Sequence, residues 1–178
     1  MRRNLLAAIF LYCEGIFNYY TLTFYLKYFP GNLFTNSLFF ACSDLLAFVF
    51  AGMLLYFTSV RFAIRVGSAF AAIGGFLYLF LSPHAALIPF IVCFSRVGQS
   101  TIFNITLISV SRLFPTLFTA NAYGIVNFCG HSVACLAPFV AELNDPAPFI
   151  VFLSLIAVAV LSSFFIEEVK STRFSSKE

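Results

Sequence analysis

Runs of twenty or so residues that are apolar on nearly every face follow one another along almost the whole chain, separated by short polar turns. Six of these runs, at 4–26, 33–57, 64–81, 87–111, 117–141 and 148–166, are predicted to be helices. A bilayer core about 30 Å thick needs roughly 20 residues at about 1.5 Å of rise each, so the runs match a membrane crossing in length. A membrane barrel would alternate apolar and polar residues, and these runs do not. The turns between them carry helix-ending chemistry: Pro30-Gly31-Asn32, Thr58-Ser59 through Arg65, Ser82-Pro83-His84, Arg112 through Thr116, and Asn144-Asp145-Pro146. The predicted fold class is therefore all-α, a single integral membrane bundle of six transmembrane helices, with 167–178 as a tail. The first run contains Glu14 and has no small-residue cleavage site before the next turn, so it reads as a helix of the mature protein and not as a secretory signal.

Four ionisable residues interrupt the pattern, each near the centre of a different run: Glu14, Asp44, Arg96 and His131. A charge at that depth is costly and marks a polar pathway by default. Residues three or four apart share a helix face, which extends these points into stripes: Glu14, Asn18, Thr21 and Tyr25; Arg96, Gln99, Ser100 and Asn104; Asn127, His131 and Cys135. Two readings fit the stripes, a substrate path or interhelical hydrogen bonds that hold the bundle together, each worth about 0.6 kcal/mol. Asp44 either pairs with Arg96 across helices or meets a cationic cargo directly. In the third run Gly67, Ala71 and Gly75, with Gly74 beside them, form a small-residue row suited to close helix packing.

Composition agrees with the pattern: 61% of the 178 residues are hydrophobic, 10% are charged and 26 are Phe, more apolar surface than a water-soluble protein can cover. Most of the aromatic residues are expected to fill helix faces, while Tyr19, Tyr20 and Tyr25 on the Glu14 helix are also placed to stack on an apolar or cationic ligand. Placing the termini and even-numbered turns on one side gathers Arg2, Arg3, Arg61, Arg65, Arg112, Lys170, Arg173 and Lys177 there, against Lys27 alone on the other. This bias predicts both termini in the cytoplasm and makes 167–178 a cytoplasmic tail. The formal net charge of +3 reflects that topology and gives no reason to expect nucleic acid. Cys13, Cys42, Cys93, Cys129 and Cys135 all lie within apolar runs, with neither a disulfide framework nor zinc spacing, and no metal or other cofactor is expected. Neither a G-x-S-x-G elbow nor an H-E-x-x-H pair occurs, which argues against an intramembrane enzyme.

The segment Ser95-Arg96-Val97-Gly98 through Arg112-Leu113-Phe114-Pro115-Thr116, then Gly124, then Leu136-Ala137-Pro138-Phe139-Val140, resembles the second half of organic cation and anion transporters, a branch of the major facilitator superfamily. Tyr12, Gly15, Tyr25-Leu26, Asp44, Gly52 and Glu167 extend the likeness over most of the chain. The resemblance implies a plasma-membrane half-transporter for small organic ions, working by alternating access. It implies that His131, seven positions before the A-P-F proline, sits where related cation transporters carry Asp and anion transporters Arg, and so biases cargo charge. Because an imidazole is neutral or cationic near neutral pH, that bias would depend on pH. Asn104 matches a position where cation transporters present a Gln. Arg96, Asp44, Glu14, Tyr25 and Asn127 complete the expected substrate-binding set, and Arg61, Arg112, Pro115 and Thr116 the expected cytoplasmic gate.

The chain departs from the family pattern at three places. Arg112 replaces the acid of the E-L-Y-P-T signature, Thr119 stands where an arginine is expected, and Tyr56 and Ser59 replace the Asp and Gly of a G-x-x-x-D-R-x-G-R-R cluster. Facilitators of this kind hold cargo between two six-helix halves. The expected partners are therefore a small organic ion, the bilayer, and a first six-helix half or a second copy. The alternative function is a non-transporting six-helix subunit that binds or regulates a full-length relative.

Overall fold

The computed structural model describes residues 2–29, 32–81, 88–114 and 116–166, apart from the side chains of Arg2, Arg3, Leu81, Arg112, Leu113 and Thr116. Helices occupy nearly all of it, with no strand among the described residues: α1 (Arg2–Tyr25), α2 (Leu33–Phe57), α3 (Val60–Leu81), α4 (Ile88–Leu113), α5 (Thr116–Ala134), the short α6 (Ala137–Ala141) and α7 (Ala147–Ser163). Five spans, Asn4–Tyr28, Leu33–Phe57, Val60–Phe80, Ile88–Ser111 and Leu117–Ala141, are long and apolar enough to cross a membrane, by length and composition; α7 is equally apolar but shorter, at 17 residues.

Local chemistry sets the ends. Asn32 caps α2 by accepting the Phe34 amide at 2.9 Å, and a 3-10 turn at Leu26–Tyr28 closes α1. Pro148 lies in the first turn of α7, where a missing amide hydrogen costs no helical bond. Two expected boundaries are corrected. The turn expected from Thr58 through Arg65 is confined to Thr58 and Ser59, because Ser59 accepts the Phe62 amide through its hydroxyl (3.4 Å) and the Ala63 amide through its carbonyl (2.9 Å); α3 thus starts at Val60 and takes in Arg61 and Arg65. The fifth run, expected to be unbroken over 117–141, is interrupted at Cys135–Leu136. Pro138 has no amide hydrogen to offer the Ala134 carbonyl, and the Leu136 amide turns instead to Val133 O at 3.0 Å.

Helices α1 and α4 form the centre, and α2 and α5 are the least covered long spans. Helix α4 packs against α3, α2 and α1; α1 packs against α5, α7 and α6; and α3 packs against α7. If α5 and α6 are taken as one helix, exchanging α1, α2 and α3 for α4, α5–α6 and α7 maps the main helix pairs onto one another: α2 on α4 becomes α5 on α1, α3 on α4 becomes α7 on α1, and the pairs α1·α4 and α3·α7 map onto themselves.

The α3·α4 contact is the tightest. A Cβ added at Gly98 would lie 2.3 Å from the Ala71 nitrogen and 2.7 Å from the Gly67 carbonyl, and one at Gly74 would lie 2.6 Å from Ser95. A Cβ at Gly75 would instead lie 2.8 Å from Leu153 of α7. The small-residue row of α3 is thus divided between two neighbours. Ser95 seals the first contact by donating to the Ala71 carbonyl at 3.0 Å.

Candidate functional site

Asp44 lies near the middle of α2 and Arg96 in the first half of α4, and the two helices bring Arg96 Nη2 within 3.0 Å of Asp44 Oδ2. The pair is asymmetric in cover: the arginine side chain is 3% exposed and the aspartate 24%. Asp44 accepts three hydrogen bonds, from Arg96, from the Tyr19 hydroxyl (3.1 Å) and from the Ser100 hydroxyl (2.6 Å). Arg96 Nη1 donates to Thr23 Oγ1 at 2.9 Å and to the Tyr19 carbonyl at 3.4 Å, and the guanidinium lies between the rings of Tyr19 and Phe40, 4.3 and 4.4 Å from their centroids. Delocalised charge on a flat group suits this stacking. The structure therefore makes the Asp44–Arg96 pairing that the sequence left open.

From this pair an aromatic row runs across the bundle. The Tyr19 ring stacks on Phe103 of α4 at 5.7 Å; Phe103 meets Tyr12 at 5.5 Å; and Tyr12 meets the His131 ring edge-on at 6.4 Å while donating to Asn127 Oδ1 at 2.7 Å. Gly130 lets Tyr12 lie against α5, since a Cβ there would be 2.3 Å from the ring. Asp44, Tyr19, Phe103, Tyr12, Asn127 and His131 thus form one continuous band across α2, α1, α4 and α5. His131 is exposed, and Tyr19, Tyr20, Phe103 and Asn127 are half-buried, so the band reaches the surface of the bundle. Asn104, one turn beyond Ser100 on α4, is buried at 4%.

Glu14 and Tyr25 do not join this band. Tyr12 and Glu14 are two residues apart, which puts them about 200° apart around α1, so when Tyr12 faces the band Glu14 must face away from it. Glu14 and Asn18 point toward α4 and α7. Asn18 Nδ2 donates to Glu14 Oε1 (2.9 Å) and to the Phe152 carbonyl of α7 (3.2 Å); Gln99 Nε2 donates to Glu14 Oε1 (3.3 Å) and the Gly15 carbonyl (3.2 Å). Further along the same face, Tyr25 lies at the end of the bundle, where its hydroxyl bonds Asp145 and its ring meets Phe29 and Phe149 edge-on. Tyr78 stacks on Phe149 at 3.7 Å, and Lys27 and Tyr28 both bond Glu142, so this end holds the connection between α6 and α7. The Lys27 ammonium, then the Tyr28 hydroxyl, hold the Glu142 carboxyl below its usual range.

Of the expected gate residues, Arg61 is half-buried in the first turn of α3; Pro115 and the side chains of Arg112 and Thr116 lie outside the described residues. Tyr12, Thr23, Phe40 and Phe103 were not among the residues singled out from sequence as site members. A signal for the α1 part of the band was present, because Tyr12, Tyr19 and Thr23 recur at seven- and four-residue spacing on one helix face. The five cysteines are free, and no group of three or more His, Cys, Asp or Glu gathers among the described residues. An apolar groove of about 650 Å³ between α3 and α7, lined in part by Arg65, Phe76 and Leu161, lies on helices that do not contribute to the band. No protein-family model matches this chain, and a search of curated proteins finds no match either.

Proposed function

We propose that this chain is the second half of an organic-ion transporter of the major facilitator type, a membrane protein with both termini cytoplasmic whose bundle rocks against a first six-helix half or a second copy. The observation that carries this reading is the band from Asp44 to His131, which reaches the surface on the helices least covered within the bundle. A cargo site between two halves needs a partly exposed wall with polar and aromatic groups at membrane depth, and this band supplies one. The exchange of α1–α3 with α4–α7 adds support, because three-helix inverted repeats are the building unit of such halves.

Within the band the charges have different tasks. Arg96 and Asp44 neutralise each other and are held by Ser100, Tyr19 and Thr23, so they shape the wall without presenting a net charge. His131 is exposed at the other end, beside an amide and an aromatic edge, and is the group that discriminates cargo charge. The test is uptake of labelled organic cations and anions by cells expressing the chain with a first half. His131→Asp shifts the cation-to-anion preference toward cations and His131→Arg toward anions, each by about tenfold. Unchanged preference in both variants overturns the role of His131.

One observation favours the non-transporting subunit as a second reading: Tyr56, where related transporters carry a gating Asp, is exposed at the end of α2. Absence of uptake both alone and with a first half, together with association with a full-length relative, decides for that reading.

A further inference from the structure

Behind the band, at the junction of α1, α4 and α7, three oxygens are buried without a donor: Glu14 Oε2, Asn18 Oδ1 and Gln99 Oε1. Their residues are 4%, 0% and 0% exposed. The orientation of both amides follows from their neighbours. Asn18 Nδ2 faces Glu14 Oε1 and the Phe152 carbonyl, and Gln99 Nε2 faces Glu14 Oε1 and the Gly15 carbonyl; all of these are acceptors, so turning either amide over would set oxygen against oxygen twice. Each amide nitrogen uses both hydrogens, and each amide oxygen is left over. Every one of the three free oxygens is joined through a single carbon to an atom that is, or directly touches, Glu14 Oε1, so all three lie close to one carboxyl group. Among the described residues Glu14 has no ion-pair partner, and the carboxylate that Arg96 pairs with is Asp44.

We propose that Glu14, Asn18 and Gln99 form a site for one desolvated alkali cation. Three buried oxygens without donors beside a single carboxyl group favour an occupant that carries positive charge and accepts several oxygen ligands at once. A proton on Glu14 gives one donor and leaves at least one amide oxygen unsatisfied. A water molecule supplies two donors and leaves the carboxylate charge uncompensated, the costlier fault at this burial. One monovalent cation answers both demands, because carboxylate and amide oxygens are its ordinary ligands and one carboxylate balances its charge. Glu14 and Asn18 stand one turn apart on α1 and Gln99 faces them from α4, so the cation ties the two central helices together. On the transport reading above this is the place of a coupling ion, but binding of the cation stands or falls without that reading.

The experiment is thermal unfolding of the purified chain in detergent, titrated with sodium chloride or potassium chloride against N-methyl-D-glucamine chloride at constant ionic strength. The expected result is a saturable rise in unfolding temperature of about 5 °C with at least one of the two alkali cations. Glu14→Gln is expected to abolish the response and to be the more stable protein in N-methyl-D-glucamine, since it removes an uncompensated buried charge. Gln99→Met, which keeps the length but removes the amide oxygen, is expected to raise the half-saturating cation concentration about tenfold; it serves also if Glu14→Gln does not fold. Identical wild-type curves in all three salts overturn the proposal, as does a response that survives in both variants. Stabilisation that follows pH and ignores the cation also overturns it and assigns the site to a proton. None of these outcomes bears on uptake, so failure here is distinguishable from failure of the transport reading.

Discussion

Arg96 is sheltered by aromatic faces and by one carboxylate that itself accepts three hydrogen bonds. Removing one charge of such a pair costs more than the pair contributes, because the remaining charge stays buried. Asp44→Asn is therefore expected to lower stability by about 3 kcal/mol, toward the low end for buried pairs since Asp44 is partly open to its surroundings. The double variant Asp44→Asn/Arg96→Gln is expected to recover most of the loss, because no charge is then stranded. Unfolding in detergent by a denaturant series checks both, and a double variant no better than the single one would show that the charge pair is not what orders this part of α2 and α4. The residues that form the pair were identifiable as mid-run ions; their support from Thr23 and Phe40 was not, because a hydroxyl and a phenyl ring look the same in sequence whether they touch a guanidinium or another helix.

Helix contacts depend on how closely backbones approach. Gly98 lies against backbone atoms of α3, which cannot move aside as a side chain can, whereas a Cβ at Gly124 of α5 meets nothing within 4 Å. Gly98→Ala is expected to cost about 3 kcal/mol by forcing α3 and α4 apart, and Gly124→Ala to stabilise by about 0.5 kcal/mol through helix propensity alone. Thermal unfolding of the two variants side by side tests this, and equal behaviour would contradict the close α3·α4 packing. The row Gly67, Ala71, Gly75 marked α3 as a packing helix from sequence, but its division between α4 and α7 follows from the helix turning about 100° per residue, which places Gly74 and Gly75 against different neighbours. The break at Cys135–Leu136 was written in Pro138, and the early start of α3 in the capping residue Ser59.

The bundle as a whole has an uneven surface. Its central helices are covered, while α2 and α5 expose Phe34, Phe48, Phe57, Leu117 and Phe128 along with the polar band. Apolar exposure of that kind is satisfied by lipid, but Asp44, Asn127 and His131 are not, and a membrane protein gains by covering them with another bundle. The chain is expected to run on a blue-native gel in mild detergent as a complex, with a second copy or a first six-helix half; a stable monomer under those conditions would remove the reason to place the band at an interface.

Periodicity, turn residues and unbroken apolar length already specified a helical membrane bundle and put Glu14, Asp44, Arg96 and His131 in its spans, because hydrophobicity acts residue by residue and needs no partner to be read. Which of those groups meet was decided by packing. A one-dimensional stripe joins Glu14, Asn18 and Tyr25, yet the rotation of α1 that lays Tyr12 and Tyr19 along the open face turns that stripe toward α7 and the bundle end. Helix rotation is set by contacts far apart in the chain, such as Gly130 against Tyr12 and Gly98 against Ala71, and no local pattern records it.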